Sequence, residues 1–302
     1  MSIRIGVGPG LYQQLSSDDY WRWVALCETS DIDSIWHSDQ LLGPSHEPLV
    51  MLAALAARTR KLRFGTNAVV APHRDPLILA KQLATIDFLG SGRLLPVFGV
   101  GNANDPVWGA TGRDAKERGK QANEVISLVR RLLTEESVSF QGEYFQYQDV
   151  RITPRPSRPV PIWIGGESES AIRRTAALGD GWLGGFTTPA NAGQVIKRIK
   201  AALVETGRSI DPDHYGVIVP FRIGPADHPS VISFQKLLNN RATSGAPFVA
   251  SGDSAAVIAA FQRYADAGVS KFIAIPVVGN AEDLMTQTQE LAANILPFVE
   301  DR

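Results

Sequence analysis

Stretches of buried-type residues alternate with amphipathic ones along the whole chain. Residues 3–7, 32–37, 62–70, 94–100, 159–166, 181–184, 215–223 and 271–275 read as strands. Those at 62–70 and 94–100 are near-continuous apolar runs, as expected of parallel strands covered on both faces. Helical periodicity between them predicts helices over 18–28, 47–58, 76–89, 117–133, 169–178, 189–205, 257–267 and 283–299. Ser17 and Asp18 are the expected caps of the first, and Pro76 sits in the first turn of the third. Helix 117–133 carries the clearest stripe, through Ala122, Val125, Ile126, Val129, Leu132 and Leu133.

Two segments fall outside this alternation. Residues 138–152 alternate about Gly142 and suggest an excursion hairpin, and the glycines and prolines of 224–251 suggest an insertion over the strand ends. No composition break or linker interrupts the pattern. The expectation is therefore an α/β fold, a single (β/α)8 TIM barrel spanning residues 1–302 with insertion segments at its C-terminal mouth, rather than a doubly wound sheet.

Composition narrows the function. The chain has 302 residues, 44% apolar and 20% charged, so a large core is within reach. A formal charge of −1 leaves no electrostatic footprint for nucleic acid or an anionic membrane. The start MSIRIGVGPG lacks the pattern of a secretory signal, and no apolar stretch is long enough to span a bilayer, so a cytoplasmic protein is expected. Cys27 is the single cysteine, which rules out intrachain disulfides, and core packing is its expected role. His37, His46, His73, His214 and His228 show no metal-ligand spacing, so no metal is expected. No GxSxG elbow is present either.

In a barrel, chemistry gathers at the C-terminal ends of strands. Those ends hold His37, Ser38, Asp39 and Gln40, then residues 67–72, 101–105, 165–168, 184–185 and 220–222. Gly65, Ala68, Gly99 and Gly101 are small enough to let backbone approach a flat ligand. Gly165 and Gly166 precede a helix start with Ser168, which suits either an anion or a tight turn with a serine cap. Asp39 either caps a loop or orients a ligand, and Arg74 with Asp75 reads as a solvated loop pair.

Taken together, WHSDQLL at Trp36, RFGTNAVVAPHRDPLILAKQLATIDFLGSGRL at Arg63, GVGNANDPVWGATG at Gly99, FQGEYF at Phe140, PVPIWIGG at Pro159, GDGW at Gly179 and YADAGVSKFIAIP at Tyr264 resemble the luciferase-like monooxygenase and reductase superfamily, in particular its coenzyme F420 (deazaflavin) branch. The resemblance covers nearly the whole chain. It implies an oxidoreductase with a (deaza)flavin ring held against Asn67, Ala68 and Val69, where the family has a bulge with a non-prolyl cis peptide. It further implies a tail phosphate on Gly165, Gly166, Glu167 and Ser168, and Asp39 beside the reacting edge. Gly101 is counted with the cofactor-binding residues as a bare glycine at a strand end.

Departures from the family shape the expected chemistry. Gln40 stands where sugar-phosphate dehydrogenases of the family have a histidine, and Asn104 aligns with their glutamate. Neither titrates near neutral pH, so sugar-phosphate dehydrogenation is disfavoured, and reduction of an activated C=C or C=N is expected. Gln40 and Asn104 would then hydrogen-bond the small-molecule substrate, with His37 as an alternative proton donor. Two rivals remain open: an FMN-dependent monooxygenase of the same fold, and a barrel that binds flavin without turnover. The resemblance also implies a homodimer, through helices such as 47–58.

Overall fold

The computed structural model describes residues 3–10, 15–239 and 249–299, and the part of the expected insertion at 240–248 lies outside them. Among the described residues the strands are β1 (Arg4–Val7), β2 (Ser34–His37), β3 (Arg63–Thr66), β4 (Val69–Val70), β5 (Leu94–Leu95), β6 (Val97–Gly99), β7 (Val138–Gln141), β8 (Gln146–Val150), β9 (Trp163–Gly165), β10 (Gly181–Gly184), β11 (Tyr215–Ile223), β12 (Ala250–Gly252) and β13 (Lys271–Pro276). The chain divides into two compact units, one made of Met1–Trp36 with Trp182–Arg302, the other of His37–Gly181.

In the first unit, long apolar runs become long strands. β11 pairs with β13 in continuous parallel register from Gly216↔Lys271 to Phe221↔Pro276. β13 pairs with β1, β1 with β2, and β11 also with β10 and β12, all parallel. Trp23, Trp36, Trp182, Tyr215, Phe261 and Phe272 are among its fully buried side chains. The Trp23 indole donates to Thr288 Oγ1 at 2.9 Å, so that its polar edge is satisfied in the core. Cys27 is fully buried, as expected.

Three details of this unit differ from the sequence expectation. The first helix, Ser17–Thr29, is capped by Ser16 instead of Ser17 or Asp18: the Ser16 hydroxyl accepts from Asp19 N. The insertion carries a helix, Pro229–Asn239, whose Val231, Phe234 and Leu238 pack with Val249 and Val277. The C-terminal helix is divided at Ile295 into Ala281–Asn294 and Leu296–Val299.

In the second unit the strands are short and interrupted. The expected strand over 62–70 stops at Thr66, passes through a cis Asn67–Ala68 peptide bond, and resumes as β4. The strand over 94–100 is parted at Pro96, which has no N–H for a ladder. β3 pairs with β5, and β4 with β6, which pairs in turn with β9, all parallel. At the break the Thr66 hydroxyl stands in for backbone, accepting from Val97 N and donating to Val97 O, both at 3.0 Å. β7 and β8 form the expected antiparallel hairpin.

Candidate functional site

All of the strand ends described next belong to the second unit. His37 closes β2, and its backbone oxygen accepts from Asn67 N at 2.9 Å, which ties the end of β2 to the cis bond. Its imidazole is 6% exposed, and burial, with His46 adding, pushes its pKa down to about 4. A ring held this way favours its neutral form near pH 7.

Two residues on, Asp39 turns into a polar knot. One carboxylate oxygen accepts from Val70 N at 3.1 Å and from Arg74 Nη2 at 2.9 Å. The other arm of the same guanidinium, Nη1, reaches Glu47 at 2.7 Å, and Glu47 caps the helix Pro48–Arg58 by accepting from Val50 N. The Asp39 side chain is only 2% exposed and the Arg74 side chain 15%, so this ion pair is screened little by solvent. Burial lowers the Arg74 pKa, but Asp39 and Glu47 outweigh it and leave it raised. Arg74 and Asp75 are thus not a solvated pair: Arg74 is buried on two carboxylates, and Asp75 caps the helix Pro76–Leu89 through Leu77 N and Ile78 N.

Beside the knot lies a floor of small residues. A Cβ placed on Gly99 would stand 3.5 Å from the Ala68 methyl, and one on Gly165 would stand 3.6 Å from it. Both are ordinary contact distances, so protein packing does not demand glycine at either place. Three neighbouring strand ends, at Ala68, Gly99 and Gly165, instead place only small, half-buried residues side by side. Gly166 follows with φ +116°, a conformation that favours glycine, and the Ser168 hydroxyl accepts from Ala171 N at 3.3 Å at the start of helix Glu169–Leu178.

The third part is the loop after β6. Gly101 has φ +72°, and a Cβ there would meet Val70 at 2.9 Å and Trp108 at 3.2 Å, so local packing alone requires this glycine. Asp105 accepts from Val107 N at the short helix Val107–Ala110, and the Trp108 indole donates to Asn102 O at 2.8 Å. Trp108 in turn lies 4.1 Å from the His73 ring. Together these residues line a small cleft of about 20 Å³ with Asp39, Gln40, His73, Asn102 and Asp105 around it.

Gln40 and Asp39 line this cleft. Asn104 does not: it is exposed, its backbone N–H donates to Asn102 Oδ1, and Asn102 and Asp105 take the cleft positions. Neither His73 nor Trp108 is among the site residues expected from sequence. A histidine after a proline in a turn carries no periodic signal, and its only mark was nearness to the small-residue strand end. Among the described residues no cluster of metal-ligating side chains occurs.

The chain shares its fold with an F420-dependent secondary alcohol dehydrogenase, solved with an F420–acetone adduct, at a TM-score of 0.84 over 100% of both chains and 18% identity. That likeness shows the fold, and the expected α/β barrel class is borne out. Residues 1–268 match the model of the luciferase-like monooxygenases, and the chain belongs to that family. It is 35% identical over 167 residues to an uncharacterised protein of Mycobacterium tuberculosis, covering 55% of this chain and 57% of that one. It is 30% identical over 181 residues to an F420-dependent glucose-6-phosphate dehydrogenase of Amycolatopsis mediterranei, covering 57% of this chain and 54% of that one. The chain thus spans little more than half the length of these curated relatives.

Proposed function

We propose that this protein is an F420-dependent oxidoreductase that exchanges hydride between the deazaflavin and a small organic substrate, an activated C=C or C=N being favoured. The observation that carries the proposal is the meeting of small residues at Ala68, Gly99 and Gly165, where protein packing does not demand glycine. A flat tricyclic ring suits such a surface because no side chain larger than the Ala68 methyl rises from it. Relatives named as F420-dependent add support for this cofactor over FMN. Asn67, Ala68 and Val69 would carry the ring, and Gly165, Gly166, Glu167 and Ser168 the tail phosphate at a helix start.

When bound, F420 supplies or takes up the hydride, and this chain's residues do the rest. Gln40 lines the cleft and would hydrogen-bond the substrate's electron-accepting atom without titrating. Asp39, already occupied by Arg74 and Val70, serves to hold β4 and its turn in place and does not act as a base. A second reading, oxidation of an alcohol, is favoured by His73, a neutral imidazole at the cleft. The relevant experiment is steady-state oxidation of reduced F420 with a panel of enones and imines. Turnover with F420 but not reduced FMN supports the proposal, and tight binding without any turnover supports a non-catalytic barrel.

Association as a homodimer is part of the same reading. Val50, Ile78 and Phe88 are exposed apolar side chains on helices Pro48–Arg58 and Pro76–Leu89. Among the described residues no helix is long and apolar enough to cross a membrane. A cytoplasmic location is proposed with it.

A further inference from the structure

We propose that His73 is the acid–base residue of this site, moving the proton that accompanies hydride transfer; this rests on the oxidoreductase reading above. His73 ends the turn Ala71–His73, directly after β4 and thus after the floor residue Ala68, and it lines the cleft. Its ring is held in place by contacts that leave Nδ1 alone. Trp108 packs on it at 4.1 Å with the planes at 40°, the indole is anchored on Asn102 O, and Arg113 donates to Pro72 O at 2.7 Å.

The contrast with its neighbours is what singles it out. Asp39 is engaged by two donors, Asp105 accepts from Val107 N, and Gln40 does not titrate. His73 Nδ1 is buried and has no hydrogen-bond partner among the described residues. A buried polar atom left in this way calls for an explanation, and here it lies on a residue that lines the cleft. No protein group fixes Nδ1 as donor or acceptor, so either neutral tautomer is open to the ring.

Its charge environment keeps it titratable. Burial lowers its pKa, with Arg113 next, while Asp39 and Asp105 raise it and Arg74 lowers it, for a net decrease. None of these charges comes from the helix Arg118–Thr134, which packs on the same turn. An imidazole whose pKa is lowered from 6.5 rests neutral at pH 7 and still exchanges a proton with a reacting group beside it. In reduction, a hydride adds to one carbon of the activated bond, the π pair moves to the far atom, and the imidazolium gives that atom its proton. In alcohol oxidation the neutral imidazole takes the hydroxyl proton as the C–H pair leaves as hydride to oxidised F420. Electrons and atoms balance in each, and His73 ends in the opposite protonation state.

The test begins with the protein without cofactor, its histidines labelled with nitrogen-15, and follows the His73 ring by NMR against pH. The expected midpoint lies below 6.5, and Asp105→Asn should lower it further, because a carboxylate that favours the imidazolium is gone. A ring that does not titrate between pH 4 and 8 overturns the proposal. Kinetics with reduced F420 and cyclohex-2-enone should then show kcat/KM falling as pH rises through the same midpoint, with the limb displaced in Asp105→Asn. In His73→Gln the limb should vanish and kcat/KM should fall by roughly 10²-fold or more, with the dissociation constant for F420 within about twofold of wild type. A limb that survives in His73→Gln, with F420 binding intact, overturns the role of His73 alone. Failure of wild type to bind F420, or to turn over enone despite binding, overturns the oxidoreductase reading and the role of His73 with it.

Discussion

The two compact units build parallel sheet differently. In the unit of Met1–Trp36 and Trp182–Arg302, β11 runs nine residues and β13 six, without a break. In the unit of His37–Gly181 the parallel strands β3, β6 and β9 have four, three and three residues, and two strand runs are interrupted, at Asn67–Ala68 and at Pro96. Ladder hydrogen bonds lost there are replaced by side chains: Thr66 bonds both polar groups of Val97, and Asp39 takes Val70 N. Continuous strands give a rigid, apolar scaffold. Interrupted ones here place small residues side by side at their ends, and the candidate site lies in that unit.

If side chains sustain the interrupted unit, removing one should cost more than a surface change. The largest effect is expected from Asp39→Ala, which strands the Arg74 charge and the Val70 N–H, at about 3 to 5 kcal/mol of unfolding free energy. Urea denaturation at pH 7 measures it, and a loss under about 1 kcal/mol would mean that the knot is not structural. Next comes acid. His37 has a folded pKa of about 4 against an ordinary 6.5. The unfolded chain therefore binds this proton first. Its stabilising contribution is complete above pH 6.5 and is lost as pH falls towards 4, by roughly 3 kcal/mol. Urea titrations at pH 7 and pH 4.5 should show His37→Gln losing less over that interval than wild type; equal losses would contradict the burial argument.

Smaller effects probe the floor and the cleft. Gly99→Val should weaken F420 at least tenfold, about 1.4 kcal/mol, with little change in stability, because its Cβ has ordinary space. Gln40→Ala should lower kcat/KM by ~10-fold, the scale of one hydrogen bond to substrate. Asn104→Ala should alter kcat/KM by less than about twofold, roughly 0.4 kcal/mol, since that side chain is exposed outside the cleft. A larger loss at Asn104 than at Gln40 would reverse their assignment.

Much of this architecture was legible in the sequence, because burial on both faces writes a continuous apolar run and amphipathic helices write a stripe. The helices Pro76–Leu89 and Glu169–Leu178 and the strands β10 and β11 fall where periodicity put them. Cap positions were less legible: Ser16, Ser17 and Asp18 are all good caps, and only the backbone turn selects Ser16. The knot was hidden because Arg74 lies 35 positions from Asp39, a distance at which no local pattern reports a contact. At Asn104 an ungapped alignment fixes residue order and not loop conformation: the turn closed by Asn102 puts Asn102 and Asp105, and not Asn104, along the cleft. His73 was missed for a related reason. Catalytic groups were sought where the family resemblance has them, at positions 40 and 104, while this chain carries its unpartnered imidazole in the turn after β4.

The central claim is that the small-residue floor of the interrupted unit holds a deazaflavin. Fluorescence titration of the purified protein and of Gly99→Val, with F420 and FMN side by side, tests it most directly. The account predicts tight F420 binding with negligible FMN binding by wild type, and a loss of at least about tenfold in F420 affinity in the variant. Preference for FMN, or F420 affinity unchanged by Gly99→Val, would contradict it.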